Sequence, residues 1–92
     1  MRSAYAQRYR LMGLKIAYYR KKAGYTQEAF AEKVGKSVNF IAQVEGPSTV
    51  RGVSLETLFT MAEVLNISPT KFLEDDDDAI FLETYENRNE DF

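Results

Sequence analysis

"TQEAFAEKVGKSVNFIAQVE", residues 26–45, is the stretch whose reading decides the fold. Its apolar residues Phe30, Val34, Ile41 and Val44 are spaced four, seven and three apart, so one continuous helix would carry them on a single stripe. Gly35, Lys36 and Ser37 interrupt that stripe with a helix-ending glycine and a helix-starting serine. Stopping and restarting within three residues makes sense if the two helices cross steeply, at roughly 90–120°. The small Ala31 then permits a close approach, and Ile41 and Val44 turn back toward Phe30 and Val34. Val38, Asn39, Ala42 and Gln43 stay on the outer face. A helix projected this way, free on one side, fits the width of a DNA major groove.

Working outward, Tyr5, Tyr9, Met12, Ile16, Tyr19 and Ala23 recur every three or four residues and predict a first helix ending at Gly24. Lys21 and Lys22 suit the negative end of its dipole. Thr26 is the expected cap of the second helix and Ser37 of the third, which closes at Gly46-Pro47. Residues 47–53 read as a loop. Ser54 caps a fourth helix with Leu55, Leu58, Phe59, Ala62 and Leu65 inward, and Ser68-Pro69 starts a short fifth one buried by Phe72 and Leu73. The expected fold is all-α: a five-helix bundle over residues 1–73, with residues 1–10 extending the first helix, and an acidic tail over 74–92.

Composition narrows the function classes. There are no cysteines and no histidines among the 92 residues, which removes disulfides, thiolate metal sites and the usual general base. With no phosphate-cradling glycine loop either, an enzyme is not expected, nor any cofactor or metal. The run "EDDDD" at 74–78 points its side chains in diverging directions, unlike a spaced calcium loop. No early segment has the continuous apolar run of a secretory signal and no later one reaches membrane-spanning length, so a cytoplasmic protein without membrane contact is expected. The net charge of −2 hides a polarised chain: residues 1–72 hold eleven Lys/Arg and five acids, whereas 73–92 hold nine acids and Arg88. The part expected to fold is basic. Lys15, Lys21, Lys22 and Lys33 read as solvated faces.

These features carry a resemblance. Gln27, Ala31, Gly35, Ile41 and Val44, with "RKKAGYTQE" at 20–28 and "SLETLFTMAEVLNISPTKFLE" at 54–74, resemble the helix-turn-helix of the phage-repressor/Cro (XRE-type) family over about residues 11–73. The resemblance implies that Val38, Asn39 and Gln43 reach base edges, where Asn and Gln can each bond adenine twice and Val can touch a thymine methyl. It implies phosphate contacts for Gln27, Lys36, Ser37, Phe40 and Arg51, with the Phe40 ring packing against sugar or the end of the first helix. It also implies a partly buried Arg20–Glu45 ion pair pinning the third helix to the first.

The chain departs from the family pattern at Lys36, where many members are apolar, and in the loop after Glu45, which is rearranged and contains Arg51. Leu14 and Tyr18 add apolar surface to the first helix. The implied function is a sequence-specific regulator of transcription, a repressor where its site overlaps a promoter, bound to double-stranded DNA as a homodimer. Leu14, Tyr18, Phe72, Ile80 and Phe81 are the apolar surplus expected to serve that dimer. The alternative is an antitoxin-like or adaptor module whose acidic tail docks a protein partner. The tail itself, with Ile80, Phe81, Leu82 and Tyr85, reads equally as helix, added strand or disordered solubiliser.

Overall fold

Among the described residues, three of the four α-helices end by the same device. The computed structural model describes residues 4–47 and 50–74. They form α1 (Ala6–Lys22), α2 (Gln27–Val34), α3 (Val38–Glu45), α4 (Leu55–Leu65) and a final 3-10 helix, Pro69–Phe72. Gly24, Gly35 and Asn66 each sit in the left-handed region, at φ 86°, 79° and 57°. At each, the following N–H reaches back to the carbonyl five residues earlier: Tyr25 to Arg20, Lys36 to Ala31, and Ile67 to Ala62. Those bonds satisfy carbonyls that a helix end would otherwise orphan, and the reversal they need favours glycine or asparagine. The break between α2 and α3 is therefore a true helix end at a left-handed Gly35, followed by extended backbone at Ser37 (ψ 155°).

The starts are equally local. Thr26, Ser37 and Ser54 accept hydrogen bonds from the N–H groups of Ala29, Phe40 and Thr57, and Ser68 accepts one from Thr70. Each such cap contributes about 1 kcal/mol. α1 instead begins at Tyr5 with no side-chain cap.

α3 packs on α1 and α2, α2 packs on α4, and the 3-10 helix closes against α1 and α4. The core they share contains Met12, Ile16, Phe30, Ala31, Val34, Ile41, Val44, Leu58, Met61, Ala62, Leu65 and Phe72. The reversal at Gly35 thus brings Ile41 and Val44 back beside Phe30 and Val34.

Several expectations are corrected. The fifth element is a four-residue 3-10 turn: Pro69 starts it, and the Thr70 carbonyl accepts from both Leu73 and Glu74 N–H as it ends. In α4 the buried stripe is Thr57, Leu58, Met61, Ala62 and Leu65, leaving Leu55 64% and Phe59 54% exposed. In α1, Met12 and Ile16 are buried as expected, but the face continues through Gly13, Lys15, Ala17 and Arg20, while Tyr5 and Ala23 are exposed. Lys15 is buried rather than solvated. Phe72 is fully buried, edge-on to Tyr19 at 6.3 Å, so it cannot serve an outer surface. Ile80, Phe81 and the acidic run lie outside the described residues.

Candidate nucleic-acid interface

The outer face of α3 follows from its inner one. With Ile41 and Val44 in the core, helical geometry sends Val38, Asn39 and Ala42 to the exposed side and leaves Gln43 half-exposed. Val38 is 44% exposed, an apolar contact surface at the first turn. None of these side chains bonds to Ser37, whose Oγ is occupied as the cap acceptor for Phe40 N–H at 3.0 Å. Its hydroxyl proton remains available to an outside acceptor.

A buried ion pair ties α3 to α1. Arg20 Nε and Nη2 donate to Glu45 Oε2 and Oε1 at 2.7 and 2.8 Å, a bidentate fork between α1 and the end of α3. Arg20 Nη1 donates to the Tyr25 carbonyl at 2.7 Å, which ties the α1–α2 turn to the same guanidinium. Gln27 Nε2 is the third donor to the Glu45 carboxylate, reaching Oε1 at 3.0 Å. Gln27 thus opens α2 and spends one amide N–H inside the fold, keeping its second for the surface. The expected Arg20–Glu45 pair is present, and the bond from Gln27 to it is an addition that residue spacing gave no sign of.

The cations flank α3 asymmetrically. Lys36, at the reversal before α3, and Arg51, in the loop after it, both lie over the Phe40 ring, at 5.5 and 4.9 Å from its centroid. Phe40 is half-buried and packs its inner edge on the core. Such contacts contribute about 0.5–1 kcal/mol each at exposed sites. The structure therefore gathers Lys36, Ser37, Phe40 and Arg51 at one end of α3, with Val38, Asn39 and Gln43 along it. Gln27 sits with the ion pair. Across the described residues ten Lys/Arg face six Glu, so the body carrying this face is basic.

Gly13 went unnoticed in the sequence, although a glycine inside a helical stripe signals a close approach. Among the described residues no helix is long and apolar enough to cross a membrane, and no group of three or more His, Cys, Asp or Glu is placed to hold a metal.

The chain belongs to the helix-turn-helix family, XRE type: the family model matches residues 16–72, which run from α1 through the 3-10 helix and contain the whole face just described. It is also similar to the uncharacterized HTH-type transcriptional regulator YazB of Bacillus subtilis (strain 168). The two are 36% identical over 58 residues, covering 63% of this chain and 81% of that protein.

Proposed function

We propose that this protein is a sequence-specific, DNA-binding transcriptional regulator acting in the cytoplasm, with α3 as the element that enters the major groove. The observation that carries the proposal is the division of α3: Ile41 and Val44 sealed in the core, Val38 and Asn39 exposed on the opposite side. Asn39, Gln43 and Val38 read base edges in this account, and Gln27, Lys36, Ser37 and Arg51 hold phosphates. Family membership and the similarity to a transcriptional regulator support the coarse class.

The finer reading is a homodimer on a near-palindromic operator, with recognition helices about 34 Å apart. Leu55 and Phe59 support it. They lie one turn apart on α4 and are both more than half exposed. They take the place of Phe72, Ile80 and Phe81 as the apolar surplus, since Phe72 is core and the other two lie outside the described residues. Leu14 and Tyr18 are only half-buried on α1. The reading in which the tail docks a protein partner concerns residues beyond Glu74.

Selection of bound sites from random DNA, followed by titration over a range of salt, tests the proposal. The expected result is a two-fold-symmetric motif and a log–log salt slope of about −4 to −5 per subunit. No enriched motif together with a flat salt response would remove it.

A further inference from the structure

Two cations share one aromatic ring at the end of α3 where the chain reverses. Lys36 has its backbone fixed, since its N–H donates to the Ala31 carbonyl at 2.9 Å. Arg51 is exposed and lies outside the helices of the described residues, where its guanidinium carbon sits 4.9 Å from the centroid of the Phe40 ring. Phe40 is itself held twice, by its N–H on Ser37 Oγ at 3.0 Å and by its packing on the core. The ring is the rigid member of the three.

Two like charges, 5.5 and 4.9 Å from the centroid of one ring, repel each other, and the ring quadrupole offsets only part of that repulsion. An anion accepting from both completes the arrangement. A phosphodiester has two unesterified oxygens, suited to a guanidinium fork on one and an ammonium point charge on the other. We infer that Lys36, Phe40 and Arg51 form one phosphodiester-binding unit, in which Phe40 is a positioning residue that preorganises the two cations and does not itself contact the backbone. The inference rests on the DNA-binding reading above and assigns Phe40 a different role from the direct backbone contact, with its ring on sugar or the end of the first helix, that the family resemblance implies. It also explains why the loop after α3 can be rearranged yet still deliver a cation: the ring, rather than loop geometry, brings Arg51 to α3.

The test is a double-mutant cycle on the full chain, read as affinity for a short random-sequence duplex over a range of potassium chloride. In the parent, Phe40→Leu should weaken binding roughly three- to tenfold and flatten the salt slope by up to about one unit. In the Lys36→Ala/Arg51→Ala background, the same change should cost less than about twofold. Phe40→Tyr, which keeps the ring, should bind like the parent. Equal losses in both backgrounds, or none in the parent, would show that the ring acts alone or not at all, and the inference falls while steep salt dependence keeps the DNA reading intact. A parent chain that binds no duplex overturns both. Helical circular dichroism accompanies each variant. If Phe40→Leu melts, Phe40→Met, which keeps apolar bulk on the core, carries the same cycle with the same outcomes.

Discussion

Gly13 in α1 lies against the backbone of Val44 in α3, so closely that a Cβ added there would land on the Val44 carbonyl oxygen. The helix that forms the outer face thus meets α1 in a backbone-to-backbone approach that no side chain at this position can share.

Gly13→Ala is decided by a contest of signs. Alanine in a helix interior gains about 1 kcal/mol over glycine from propensity. Here the methyl meets backbone rather than a flexible side-chain tip, and overpacking of that kind costs about 1–3 kcal/mol or more. The expected outcome is a net loss of stability of about 2 kcal/mol in chemical denaturation. A stabilised variant would mean that α1 and α3 are further apart than described.

Removing one member of the Arg20–Glu45 pair should cost more than removing both. Arg20→Met leaves the Glu45 carboxylate buried with only Gln27 to solvate it, an expected loss of about 3–5 kcal/mol. The double variant Arg20→Met/Glu45→Leu should recover much of that, because the unpaired charge is gone. Urea denaturation of the three proteins checks the order. A single variant no less stable than the double would show the pair to be solvent-screened.

Base readers and phosphate holders should separate in their effects. Gln43→Ala is expected to relax preference at its base position, about 1–3 kcal/mol of discrimination, with little change toward random sequence. Lys36→Ala should weaken every sequence alike and reduce the salt slope by about 1. Binding of each variant to a selected site and to random duplex measures both. Unchanged base preference in Gln43→Ala would remove α3 as the reader.

Phe59→Glu probes the apolar pair on α4. If Leu55 and Phe59 meet their counterparts in a second copy, the charge should shift the protein to monomer in sedimentation at a concentration where the parent is dimeric. Affinity for a two-fold-symmetric site should then fall more than affinity for one half-site. The exposure of Phe59 means that the fold itself should be spared, with stability changing by about 0.5 kcal/mol or less. An unchanged sedimentation coefficient would exclude this face as the contact.

The legible part of this protein was the part written locally. Thr26, Ser37, Ser54 and Ser68 could be assigned as caps, and Gly24 and Gly35 as stops, because each acts on atoms within five residues of itself. Ile41 and Val44 could be placed inward because the break before them left only one face for the core. α4 was less determined. Its residues support two overlapping apolar stripes, one through Leu55 and Phe59 and one through Thr57 and Met61, and both include Leu58, Ala62 and Leu65. Choosing between them requires knowing on which side α2 and the 3-10 helix lie.

The amino-acid sequence by itself therefore determined where the chain turns, which helices it makes and that α3 stands free on one side, since capping and reversal are short-range hydrogen-bond chemistry. Only the tertiary structure decided that Gly13 admits the backbone of α3, that Gln27 joins the Arg20–Glu45 pair, and that Arg51 comes to rest on Phe40. Those contacts join segments from different elements, and relative helix placement is set by the packing of the whole core, which no local spacing encodes.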